Sequence, residues 1–566
     1  MNRSDESTLP ATAISELDAT FRGSRLPVTV LHLAICLAAI VLTTIAIQLY
    51  AYNYKHAWVS SHFAVMARTF NVAGLFDLGL VPVQNNAPLT TSPDAYLHWP
   101  PLYPILLALF FRVFGEGVVT HHLSSVALNV ASAALIWRSF AGQPDKIAAG
   151  LAALTFLGAP IMFHFGFAGL HLHLAIMLTV LALTLFATNT GAAARAMDKS
   201  HRRVMLGIGA FAYFSAVMTS WEPLLAAPAF CFFALRDRHR QTTLALTLFG
   251  LAAVAALLFI LLLYGSGYPH FVERLWNRAM MRSGMSTAVY PPGYTPHDIQ
   301  DIVLANSAYP WTYYLWSLLP ERMVTFGFIG LLGLAGGLAS MGAAASLPRP
   351  AIAIYLGSLS MFCLWSILMR NHMSIHEYEM LILLPAAASG AGLSFVRFLS
   401  RPYGDQQAIV SGANPASPGA MTAKASRRGA LACFVAPVLV ASLSYMTVRD
   451  ILTSFTPSSP MIALAELSRE QLPDNAIIVT PYPDMVFVYY SGRHVIRSIE
   501  SEGVLDREQG AILALCPTCS FYLVADKASV DAFPSYKLTK PLAEIPDTGA
   551  IWRLNGVLGA NRDTGN

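Results

Sequence analysis

The sequence predicts an all-α polytopic membrane bundle of about eleven transmembrane helices, followed by a small C-terminal α/β domain. Three observations carry that reading. Of 566 residues, 55% are hydrophobic and 12% charged, with a mean hydropathy of +0.52; soluble domains carry about twice that share of charge. Apolar runs of about 20 residues, long enough to cross roughly 30 Å of hydrocarbon, recur along the chain. In the tail, NAIIVTPYPDMVFVYYSGRHVIRS and CSFYLVADK read instead as strands between helical stretches. The formal net charge of +4 is small for this length and points to no nucleic-acid partner.

Residues 1–26 are polar and read as a cytoplasmic tail with no cleavable signal. The first span, 27–51, follows Arg22 and Arg25, so the N-terminus is expected in the cytoplasm and residue 52 onward outside. The run 100–115 is short, opens on two prolines and carries Arg112, which predicts a helix lying in or on the membrane. Charge parity agrees. With 100–115 not crossing, the next span, 118–138, ends inside at Trp137-Arg138 and Lys146. Spans 147–163 and 168–189 then lead back to the cytoplasmic cluster Arg195, Lys199, Arg202 and Arg203. Residues 204–235 are basic at both ends, which predicts two short helices turning outside at Trp221-Glu222-Pro223. Spans 242–264, 321–345, 351–369, 378–398 and 429–448 complete the count, with a Gly/Ala/Ser/Pro-rich inside loop at 402–426.

The expected organisation is a transmembrane domain 27–448 with long outer loops 52–117 and 265–320, then a periplasmic domain 449–566. This describes a multi-pass protein of a bacterial inner membrane, its C-terminus periplasmic. Cys516 and Cys519 form a C-P-T-C in the tail, read as a structural disulfide in an oxidising compartment, with zinc and redox roles as alternatives.

Ionisable groups at membrane depth are costly and mark function. On this topology the outer ends hold His62, Asp77, Asp94, His98, His164, His171, His173, Glu222, Arg274, Arg278, Arg282, Arg370, His372, His376, Glu377 and Glu379. The bland alternative is that such groups snorkel to water. Against it, they come from five separate outer segments that one bundle can gather. Residues from Trp58 to Arg68 read as an amphipathic helix N-capped at Ser60 or Ser61, its N-terminus suited to phosphate. Tyr96 and His98 stand just ahead of Pro100-Pro101, which fix the chain's entry into the next helix.

The H-W-P-P-L-Y-P stretch at 98–104, the turn at 221–223 and N-H-M-S-I-H-E-Y-E-M-L-I-L-L-P at 371–385 resemble the GT-C superfamily of membrane glycosyltransferases. The likeness is to the branch of protein O-mannosyltransferases and lipid A aminoarabinose transferases. The resemblance implies a GT-C-like fold, a polyprenyl-phosphate-linked sugar donor, and a periplasmic glycan, lipid or protein acceptor. It also implies a carboxylate base in the first loop, since a hydroxyl is a poor nucleophile until its proton is taken. Cations must hold the leaving phosphate; Arg278 and Arg282, four apart with Arg274 on the same face, suit that task.

One departure stands out. Where family members start the first-loop helix with Asp, this chain reads Val59-Ser60-Ser61-His62. Asp94 is the preferred base, with Asp77 or His62 as alternatives; His62 and His98 are set around donor and acceptor. Trp58, Tyr96, Glu222, His372 and His376 are expected to line the substrate. His171 and His173, with Glu222, suggest a divalent metal (zinc, manganese or magnesium), although residues two apart share no helix face. A flippase for a lipid-linked substrate and a non-catalytic polyprenyl-lipid-binding relative are the alternative functions.

Overall fold

The computed structural model describes residues 26–49, 51–54, 56–86, 95–141, 146–191, 193–237, 239–285, 314–342, 347–400, 460–481, 484–497, 518–530, 533, 538, 540–546 and 548–554. Asp94, Cys516, the loop 402–426 and the expected span 429–448 lie outside them. Among the described residues six helices are long and apolar enough to cross a membrane, or seven if the bent pair Tyr314–Phe326 and Gly330–Ser340 forms one span.

The helices are α1 (Leu26–Gln48), α2 (Ala57–Ala73), α3 (Leu102–Phe114), α4 (Val118–Arg138), α5 (Lys146–Gly158), α6 (Pro160–Phe165) and α7 (His171–Asn189). They continue as α8 (Lys199–Val217), α9 (Ala227–Asp237), α10 (Arg240–Gly267), α11 (Phe271–Ser283), α12 (Gly327–Ser340), α13 (Arg349–Leu368), α14 (Arg370–Ile375) and α15 (Leu384–Ser400). At 13 residues α3 is too short to span, as the parity argument requires. The expected span 147–163 is broken: Ala159 is extended because a residue before proline is driven out of helical geometry.

Residues 204–235 form the hairpin that their charges predict. The rings of Tyr213 on α8 and Phe230 on α9 lie 5.0 Å apart, and the Tyr213 hydroxyl donates to Pro223 O at 3.1 Å. Residues that flank Glu222 so evenly can meet only if the chain doubles back there. The other end of these helices is tied by Arg349. Its guanidinium donates to both Asp237 oxygens, at 2.9 and 2.7 Å, and to Thr190 Oγ1 at 3.3 Å. With 1.5 Å of rise per residue along α7, this clamp stands about 28 Å from His171.

The first-loop helix starts earlier than expected. His56, left-handed at φ 62°, precedes α2, and Ser60 and Ser61 are buried inside the helix and do not cap it. Twelve of its 17 residues are buried, so α2 is packed in the protein and does not float on the membrane surface.

The C-terminal unit is α/β as predicted. Helix α16 (Pro460–Gln471) and helix α17 (Met485–Ser491) accompany strands β1 (Ala476–Val479), β2 (His494–Ile496), β3 (Ser520–Ala525), β4 (Ala543–Ile545) and β5 (Gly549–Arg553). The strand order is β2-β1-β3-β5-β4, parallel across β2-β1-β3 and antiparallel beyond. MVFVYYS, expected as strand, is α17: Asp484 caps its N-terminus by accepting from Val486 N, and left-handed Gly492 ends it. Cys519 is disulfide-bonded.

Helix α17 docks on the first loop. Arg68 donates to Tyr489 O at 2.6 Å and pairs with Glu116 at 2.5 Å, and Asn86 Nδ2 donates to Val488 O at 2.7 Å. The Tyr490 hydroxyl accepts from Tyr52 N at 2.9 Å. The C-terminal unit therefore sits on the same side of the bundle as the first loop.

Candidate functional site

The candidate site is a side-chain cluster where α7 begins and α13 ends. After α13 the chain makes one turn of helix, breaks at His376 (φ −102°, ψ 88°) and re-forms as a tight helix over Glu377–Leu383. That break brings residues seven apart together: His372 Nε2 and Glu379 Oε1 share a hydrogen bond of 3.0 Å, both side chains buried. The rings of His372 and His376 are 4.2 Å apart, and Trp99 lies 6.0 Å from His372 and 4.6 Å from His171. Helix α2 closes one side, with Trp58 5.9 Å from His376 and Phe63 5.2 Å from His171.

The hairpin turn supplies a second buried carboxyl. Glu222 is fully buried, and its Oε2 accepts from Ser220 Oγ. Among the described residues its Oε1 has no hydrogen-bond partner. Burial pushes this carboxyl up to about 7, against the pull of the Ser220 bond and the charge of Arg282. Arg282 stacks over Trp99 at 5.6 Å. His98 is half-exposed, but its Nδ1 is buried, and desolvation, then Arg278 and Arg282, hold it well below the usual histidine range. Burial likewise holds His372 and His376 neutral, each reinforced by a neighbouring histidine and Arg282.

Most predicted site residues therefore meet. His62 donates to Gln84 Oε1, and its ring lies 4.5 Å from Tyr96, which is 5.0 Å from His98. Arg278 and Arg282 are half-buried on α11, while Arg274 is exposed one turn further out and acts on His98 more weakly. Asp94 cannot be placed, since 87–94 are outside the described residues. Asp77 is exposed and folds back over Gly74, away from this cluster. His171 and His173 turn to different neighbours: His171 stays between Phe63 and Trp99, while His173 Nε2 lies 3.0 Å from both Phe165 O and Ala168 O. Among the described residues no three His, Cys, Asp or Glu side chains are grouped to hold a metal ion.

Sequence reasoning left Trp99, Ser220 and Glu379 without a role. Glu379 carried a signal, as a second acid two residues past Glu377 entering a Pro-containing apolar run. Ser220 and Trp99 had none, because serine and tryptophan are unremarkable at such positions.

No protein-family model and no curated protein matches the chain. Solved structures do. ArnT from Cupriavidus metallidurans in the apo state aligns with a TM-score of 0.57 at 13% identity, over 92% of this chain and 97% of that one. Its structure bound to undecaprenyl phosphate gives 0.58 at the same identity and coverage. The archaeal oligosaccharyltransferase AglB from Archaeoglobus fulgidus, in complex with an inhibitory peptide and a dolichol-phosphate, gives 0.51 at 14%, over 89% of this chain and 69% of that one. The chain has the GT-C fold.

Proposed function

We propose that this protein is a glycosyltransferase that moves a sugar from a polyprenyl-phosphate carrier to a periplasmic or lipid-borne hydroxyl. The observation that carries the reading is Glu222, a fully buried carboxyl with one oxygen on Ser220 and the charge of Arg282 acting on it. In the transfer, the acceptor hydroxyl gives its proton to Glu222 as its oxygen bonds the anomeric carbon. The bond from that carbon to the phosphate oxygen breaks, and the carrier phosphate leaves with the electron pair. Arg278 and Arg282 hold the phosphate, and they act more strongly there than in water because the site is buried. Bound lipid phosphates in two structures of this fold support a lipid carrier.

His62, Tyr96, Trp58, His372 and His376 line the path of donor and acceptor. On this reading the bundle crosses a bacterial inner membrane with its N-terminus cytoplasmic, and 449–566 sits in the periplasm over the site. Asp94 remains the competing base. Release of a radiolabelled sugar from polyprenyl phosphate by purified protein tests both, with Glu222→Gln and Asp94→Asn compared. Loss in Glu222→Gln alone supports the assignment; loss in Asp94→Asn alone moves the base to the first loop. Lipid binding with no release from any donor favours a non-catalytic lipid-binding relative, the reading that His62 in place of the family's acid keeps open.

A further inference from the structure

We propose that Tyr264 and Trp221 are positioning residues: they grip the two carbonyls ahead of Pro100-Pro101 and thereby fix His98 and the contact of Trp99 with Arg282. The inference rests on the phosphate-binding role given to Arg282 above. Pro100 and Pro101 have no N–H, and a proline drives the residue before it away from helical geometry. His98 and Trp99 therefore lie in a bend outside the helix, where neither carbonyl has a helical partner; Trp99 itself is only 4% exposed. A buried carbonyl needs a donor, and here both donors come from far along the chain. Trp221 Nε1 donates to His98 O at 2.8 Å, and the Tyr264 hydroxyl donates to Trp99 O at 2.9 Å. Leu102 N donates to Met218 O at 3.0 Å, which closes the same join.

The consequences reach the site from both sides. Trp221 is adjacent to Glu222 in the hairpin turn, so one segment carries the carboxyl and sets the distance to His98. Tyr264 is fully buried near the end of α10, and Trp99, which it holds, presents its ring to Arg282 at 5.6 Å. Tyr264 thus acts on Arg282 through Trp99, and neither clamp side chain has to touch a ligand.

A bond of the same kind elsewhere provides the control. The Tyr355 hydroxyl donates to Leu334 O at 2.7 Å, on α13 toward the Arg349 end. Tyr264→Phe and Tyr355→Phe are compared for unfolding midpoint and for affinity to undecaprenyl phosphate in detergent. Both are expected to lower the midpoint slightly, and only Tyr264→Phe to weaken affinity, by about tenfold for one lost hydrogen bond. Trp221→Phe, lacking the indole N–H, is read the same way should Tyr264→Phe fail to fold. Wild-type affinity in a folded clamp variant overturns the proposal. If the wild-type protein itself binds no undecaprenyl phosphate, the role of Arg282 falls, and the structure of Tyr264→Phe decides the clamp. Trp99 turned away from Arg282 sustains it; Trp99 unmoved overturns it.

Discussion

Glu222→Gln should make the protein more stable at neutral pH while removing its activity, and the pH dependence of the first effect can be worked out. The Glu222 carboxyl has an ordinary value of 4.5 and is pushed up to about 7 by burial. Between those values the unfolded chain has given up the proton and the folded chain still holds it. Stability therefore falls as pH rises through this window, and above pH 7 the whole cost is carried. At 1.36 kcal/mol per pH unit, the gap amounts to about 3 kcal/mol. Glutamine is nearly isosteric, stays neutral and keeps an oxygen for Ser220. The stability of Glu222→Gln minus wild type should therefore rise from near zero at pH 4.5 to about 3 kcal/mol at pH 8. His98, His372 and His376, held neutral in the fold, impose the opposite trend, since the unfolded chain protonates them below 6.5. These histidines are present in both proteins and cancel in the difference, whereas Glu379, which the Glu222 charge pushes further up, adds to it in the same direction. Thermal unfolding in detergent across pH 4.5–8 reads it as a shift of a few degrees. Transfer activity of wild type should rise with pH through about 7, and the variant should lose 10²–10⁴-fold. A stability difference that is flat in pH, or a variant that keeps both its rate and this limb, would refute the reasoning.

Three further outcomes are expected. Arg282→Ala should weaken undecaprenyl phosphate binding by about 10- to 100-fold, the worth of a charge-assisted bond, as read by titration in detergent. Arg349→Lys breaks the two-pronged hold on Asp237 and should cost about 1–3 kcal/mol in unfolding while leaving lipid affinity unchanged, since the clamp lies at the other end of α7. Gly390→Ala should destabilise the bundle by about 1–3 kcal/mol, because its new Cβ would run into Gly333 O where α12 and α15 cross closely; a thermal midpoint equal to wild type would show the helices free to move apart.

How much of this the sequence discloses depends on the range of the interaction. Hydropathy and charge parity are local sums, and they marked the long spans, the short helix at 102–114 and the hairpin around Glu222. The break at Ala159 was also visible in principle, since Pro160 is in the sequence, but an apolar run of adequate length outweighed it. MVFVYYS misled for a different reason. Valine and aromatics favour strands, and seven residues are too few for helical periodicity to register, although Asp484 and Gly492 were standing at the cap positions. The site is harder to read because its joins are distant in sequence. Trp221 meets His98 across 123 residues, Tyr264 meets Trp99 across 165, and Tyr52 meets Tyr490 across 438. No pattern along the chain announces such pairs, because each requires only a donor, an acceptor and a fold that places them. The polar residues were legible as a group at one end of the bundle. Burial, which no local pattern announces, then separates them: Glu222 and Glu379 are fully buried and Asp77 is exposed, although charge parity puts all three in one group.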